Sequence, residues 1–309
     1  MPPRTVLPAK AAEHYQQDGG AAVFLPGRAR VNGDLRDPFR LRHVDLGLSG
    51  KVCVVTGASR GIGLETARQL CAEGASALLV ARSRERLEGA VATCEEAGGR
   101  AAALTCDVTE PDAGERMVAA AQEALGEPDV LVNNAGGARW RDLDDVPDED
   151  WRAAWEVNVM ASHRAMRALV PSMLERGWGR VVNVASTAGK RPSANMPEYS
   201  VAKAAQLSLS RLWADRCAAQ GVLVNAICPG PTKSELWVAE GGLADQSAAL
   251  SGLAGPEAAL EKAGAGRPIG RLAEVGEIAA AIVFLCSARA SYVAGAAWSV
   301  DGGTVQVII

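Results

Sequence analysis

The chain has 309 residues and a formal net charge of -4, long enough for one large domain or two small ones and for a core that needs neither metal nor disulfide. The mild acidity gives no electrostatic case for nucleic acid or an anionic membrane surface, and the apolar runs, such as Val52–Val55 and Ala77–Ala81, are strand-sized rather than membrane-spanning. Seven cysteines without a C-x-x-C pair read as buried thiols of a reducing cytoplasm, with no disulfide framework and no metal site.

Residues 1–47 differ from the rest. They hold Pro2, Pro3, Pro8, Pro26 and Pro38 and show no sustained periodicity. We read them as a flexible N-terminal extension, or as a start placed ahead of the true one near Val44, with a partner-binding arm as the alternative. From residue 48 to 309 a single catalytic domain is expected. Strand-like runs at Lys51–Gly57, Ala77–Arg82, Ala101–Asp107, Asp129–Asn133, Arg180–Ser186, Val222–Cys228 and Ala297–Val300 alternate with amphipathic stretches. The latter fall at Gly61–Glu73, Ser83–Ala97, Pro111–Leu125, Glu149–Glu175, Glu198–Ala219 and Glu274–Ser287. Strands alternating with helices of this length predict a doubly wound (Rossmann) parallel sheet with helices on both faces. The ligand crevice of such a fold lies at the carboxyl ends of the strands.

The first strand runs into Thr56-Gly57-Ala58-Ser59-Arg60-Gly61-Ile62-Gly63 and a helix follows. Glycines there allow a tight turn and a close backbone approach to a dinucleotide pyrophosphate, held at the helix N-terminus. The second strand ends Val80-Ala81-Arg82. An acid at that point would bind the ribose 2′-hydroxyl of NAD and repel the 2′-phosphate of NADP. The acid is missing, a guanidinium stands beside the position, and Arg60 reaches the same region, so NADP(H) is favoured and NAD(H) is the alternative. Asp107, followed by Val108, closes the third strand as an acceptor for the adenine amino group or as a turn cap. Asn133-Asn134-Ala135-Gly136 closes the fourth, with asparagine bracing neighbouring strands and glycine letting the chain run close to the ribose.

Tyr199 and Lys203 lie four apart on a predicted helix and so project from one face. Ser186 closes the preceding strand and brings a hydroxyl to the same crevice. A phenol with a pKa near 10 is a poor proton relay at neutral pH; a neighbouring ammonium would pull that value down, and this is the physical reason for a lysine one turn away.

From about Leu46 to Gly303 the chain resembles the short-chain dehydrogenase/reductase family, in the form with a T-G-x-x-x-G-x-G loop. The matching positions are Thr56–Gly63, Asp107, Asn133–Gly136, Asn158, Ser186, Tyr199 and Lys203, followed by Pro229-Gly230, with Ser234 where that family usually has threonine. The resemblance implies Tyr199 as general acid/base and Ser186 as the group that orients a carbonyl. It implies Lys203 as holder of the nicotinamide ribose and Asn158 as support for a water-filled proton path. It further implies cofactor contacts from Gly57, Ser59, Arg60, Gly61, Ile62, Gly63, Arg82, Asp107, Val108, Asn134, Ala135, Gly136, Tyr199, Lys203, Pro229, Gly230 and Ser234. The expected activity is hydride transfer between NADP(H) and a ketone or secondary alcohol, by a homotetramer or dimer. Residues 231–268, carrying Leu236, Trp237, Leu243, Leu250 and Leu253, are expected to form a mobile lid with an apolar inner face over a bulky or hydrophobic substrate. Where oxoacyl-carrier-protein reductases tend to place arginines for the carrier, this chain has Gly177 and Gln220, although Arg176 is adjacent. The alternatives are an NAD-dependent secondary-alcohol dehydrogenase and a non-enzymatic dinucleotide-sensing scaffold, the latter disfavoured because all four catalytic positions are filled.

Overall fold

The computed structural model describes residues 44–306; the expected extension lies outside the described residues except for its last four positions. Seven strands form one sheet in the order β3-β2-β1-β4-β5-β6-β7, every neighbouring pair parallel. They are β1 (Val52–Thr56), β2 (Ser76–Ala81), β3 (Arg100–Thr105), β4 (Val130–Asn133), β5 (Gly179–Val184), β6 (Val222–Pro229) and β7 (Ala297–Val300). Each predicted strand is present, with its ends within two residues of the expected bounds.

β1 shows why the sheet is covered on both sides. Its five residues are all buried, and the two-residue period sends alternate side chains to opposite faces. Cys53 and Val55 join a core with α1 (Gly61–Ala72), α2 (Arg84–Glu96) and α10 (Val275–Cys286), while Val52 and Val54 join a second core with α3 (Ala113–Ala124), α5 (Ala161–Glu175) and α6 (Pro197–Cys217). The seven cysteines are all free and buried. Among the described residues no helix is long and apolar enough to cross a membrane.

Two stretches depart from expectation. The predicted helix Glu149–Glu175 is α4 (Asp148–Trp155) and α5 joined by a five-residue π-helical turn, Glu156–Met160. One extra residue in such a turn redirects the side chains that follow, and it is here that Asn158 lies. The expected lid region carries three helices that were not predicted, α7 (Glu235–Val238), α8 (Leu243–Ser251) and α9 (Pro256–Ala265). These enclose a third, separate core of Trp237, Leu243, Ala244, Ala248, Ala259 and Leu272, packed on Ala138, Trp140 and Met196. Trp140 and Trp237 meet edge to face at 6.2 Å.

Candidate active site

The strand order reverses between β1 and β4, and the loops leaving those two strands open the crevice there. Thr56 joins them. Its hydroxyl accepts from the backbone N–H groups of Asn134 and Ala135, both at 3.0 Å, and Asn134 Nδ2 donates back to the Thr56 and Gly57 carbonyls at 3.0 and 3.2 Å. The expected bracing by asparagine is therefore present, and Asn133 repeats it one strand over, donating to Asn183 Oδ1 at 2.8 Å.

A cavity of about 1130 Å3 extends from the glycine loop along the strand ends to α7 and α8. Every predicted site residue lines it except Gly63 and Asn158. Gly63 has a packing role instead: a Cβ there would collide with the Gly57 carbonyl oxygen and Asn134 Nδ2. Gly57 and Gly61, at φ 65° and 58°, carry the left-handed turn that a side chain would oppose. Asn158 stands behind the wall, fully buried, donating to Ala154 O at 3.0 Å and Gly137 O at 3.4 Å. Its Oδ1 has no partner, and a Cβ on Gly136 would approach that oxygen to 2.8 Å.

At the β2 end, Ala81, Arg82, Ser83 and Arg86 line the cavity with Arg60. Sequence reasoning missed Arg86. Its signal was the cap of α2: Ser83 Oγ accepts from the Arg86 N–H at 3.4 Å, which sets Arg86 one turn from the strand end. Asp107 performs the turn role, accepting from the Thr109 N–H at 2.9 Å and its hydroxyl at 2.7 Å, and these bonds hold its carboxyl below the ordinary value. It still faces the cavity.

At the other end Ser186, Tyr199 and Lys203 share the wall. Ser186 Oγ accepts from the Ala188 N–H at 3.1 Å as the chain leaves β5. Lys203 is buried; its Nζ donates to Val184 O at 2.7 Å and Gln206 Oε1 at 3.0 Å, and lies 5.5 Å from the Tyr199 ring centre. Burial pushes the lysine down to about 7. Tyr199 is half-buried by surface, yet its phenol is pushed up to about 12, because burial outweighs the neighbouring Ser186 hydroxyl. The expected lowering of the phenol by lysine is thus not what the protein atoms do: the ammonium is drawn to a carbonyl and an amide. Thr232, also missed, is buried on the wall and donates to Gly230 O at 2.9 Å. Glu198 and Asp150 reach the same wall and were not foreseen.

Comparison with known proteins agrees with this geometry. The short chain dehydrogenase family model matches residues 51–241. The short-chain reductase protein NovJ of Streptomyces niveus is 38% identical over 256 residues, covering 82% of this chain and 93% of NovJ. The 3-oxoacyl-[acyl-carrier-protein] reductase FabG of Thermotoga maritima is 33% identical over 262 residues, covering 84% and 99%. The crystal structure of L-sorbose reductase from Gluconobacter frateurii, complexed with NADPH and L-sorbose, superposes with a TM-score of 0.79 at 36% identity, covering 85% of this chain and all of that one. A nucleotide-sized crevice at a sheet switch point, the serine, tyrosine and lysine on its wall, and relatives matched along nearly their whole length place the chain in the short-chain dehydrogenase/reductase family of oxidoreductases.

Proposed function

We propose that the protein is an NADP(H)-dependent ketoreductase acting on a bulky, largely apolar ketone. One observation carries the reading: Arg60, Arg82 and Arg86, beside the ends of β1 and β2, line the same cavity as Ser186, Tyr199 and Lys203, which lie at the end of β5 and on α6. Arg60, Arg82 and Arg86 make no side-chain hydrogen bond or ion pair among the described residues, which leaves them available to a 2′-phosphate. The glycine loop, the α1 N-terminus and Asp107 fit the rest of a dinucleotide. When bound, NADPH supplies the hydride, and the net reaction converts ketone, NADPH and a proton into secondary alcohol and NADP+.

The residues supply the rest. Ser186 donates to the carbonyl oxygen and holds it beside Tyr199. Burial keeps the Tyr199 phenol protonated in the cofactor-free protein, and the alkoxide that develops on the carbonyl oxygen as the carbon is reduced is more basic than a phenolate, so the proton passes from Tyr199 to that oxygen. Lys203, anchored on Val184 and Gln206, holds the ribose and feeds the proton relay, with Asn158 supporting the path behind Gly136. The cover of α7, α8 and α9 acts as the lid, presenting Trp237 and Leu243 to the substrate. A 3-oxoacyl reductase and an L-sorbose reductase solved with NADPH support carbonyl reduction and the cofactor, while the apolar body of the substrate rests on Met196, Trp237 and Leu243 of the wall. A carrier-protein partner has less support, since Arg176 is tied to Pro128 O and to Glu127 at 3.4 Å.

The test is Tyr199→Phe. It should bind NADPH as the parent does, followed by nucleotide fluorescence, yet reduce ketones roughly 10²–10⁴-fold more slowly. Turnover at the parent's rate would end the proposal.

A further inference from the structure

The substrate half of the crevice is walled by Met196, Trp237 and Leu243, but two carboxylates interrupt this apolar surface. Glu198, the residue before Tyr199, is only 4% exposed. Among the described residues, neither of its oxygens accepts a hydrogen bond. Oε1 has a single ion-pair contact, 3.9 Å from Arg141 Nε, and Oε2 is buried without a partner. A contact of 3.9 Å is too long for a hydrogen bond.

Arg141 explains how the pair is held. It does not itself line the cavity, and its backbone N–H donates to Asn195 O at 2.9 Å. Its guanidinium is committed to Asp150, Nη1 donating to Oδ2 at 2.5 Å, and the other Asp150 oxygen has only Arg139 at 3.5 Å. Arg141 thus contacts both carboxylates, each of which lines the cavity, and leaves Glu198 with unused acceptor capacity. A buried carboxylate left without donors is costly.

We propose that Glu198, supported by Asp150, accepts a hydrogen bond from a hydroxyl group that the substrate carries near its reacting carbonyl. This rests on the ketoreductase reading and narrows it to hydroxyl-bearing ketones with an apolar body. Two carboxylates repel an anionic substituent, and two arginines beside them disfavour a cationic one; a neutral donor is what the wall suits. Few polar groups in a mostly apolar pocket is how orientation is commonly fixed.

The experiment uses the full chain with NADPH and matched ketone pairs: cyclohexanone against its α-hydroxy derivative, propiophenone against its α-hydroxy derivative, and benzylacetone against its β-hydroxy derivative. The parent should favour the hydroxylated member of at least one pair in kcat/KM by about tenfold or more, since sites built around a substrate hydroxyl discriminate strongly against analogues lacking it. Glu198→Met should collapse that ratio toward one, and Glu198→Gln, which keeps an acceptor oxygen, should restore part of it. A parent ratio near one for every pair overturns the inference while leaving ketone reduction intact, and does so whether or not the variants fold. A parent preference that survives in Glu198→Met also overturns it. Reduction of no ketone at all with NADPH removes both proposals together.

Discussion

Lys203 shows how much of the chemistry is set by where one side chain is buried. Its pKa of about 7 in the folded protein, against an ordinary 10.5, means that between those values the unfolded chain holds more protons than the folded one. Stability then rises with pH across that window, and the cost of the buried charge is felt in full below it. In the cofactor-free protein, the melting temperature of the parent relative to Lys203→Met should therefore climb as pH is raised from 7 toward 10. A difference that stays flat in thermal scans would count against the buried placement. Ser186, Tyr199 and Lys203 were legible in the sequence because a strand end and a one-turn helix spacing fix their direction. The lysine's actual partners were not, because the Val184 carbonyl and Gln206 reach Nζ only once α6 lies across the end of β5. Glu198 was invisible for a similar reason: nothing in its neighbourhood along the chain announces that Arg141 will prefer Asp150.

At the scale of elements, the glycine loop was predicted for its approach to a ligand, but its third glycine serves the approach of helix to strand. Gly63→Ala pushes a methyl group into the Gly57 carbonyl oxygen and Asn134 Nδ2. It should lower stability by about 1–3 kcal/mol, as overpacking does, and weaken NADPH binding by disturbing Gly57, measured by denaturant melts and nucleotide titration. Unaltered stability and affinity would show that the loop relaxes freely. The strands were read to within a residue or two because each is a short apolar run bounded by turn residues. The π turn escaped notice because the hydrophobic pattern on either side remains helical; only the position of Asn158 marks it. The three helices of the cover were missed because its alanine- and glycine-rich sequence has weak amphipathic contrast. Their packing depends on Trp140 and Met196, which belong to distant segments.

For the molecule as a whole, the sheet's reversal between β1 and β4 opens the crevice, and Arg60, Arg82 and Arg86 line it beside the ends of β1 and β2, where the proposed reading puts the 2′-phosphate. Ala81→Asp combined with Arg82→Ser should reverse cofactor preference, lowering kcat/KM with NADPH and raising it with NADH, each by about tenfold or more. An unchanged ratio would refute the choice of NADP(H). The same architecture divides labour in another way. The cover keeps its own small apolar centre, apart from the two that bind helices to the sheet. Exchanges on the inner face of α7–α9 would therefore reshape the space offered to a ketone while Ser186, Tyr199 and Lys203, which lie on other elements, keep their positions.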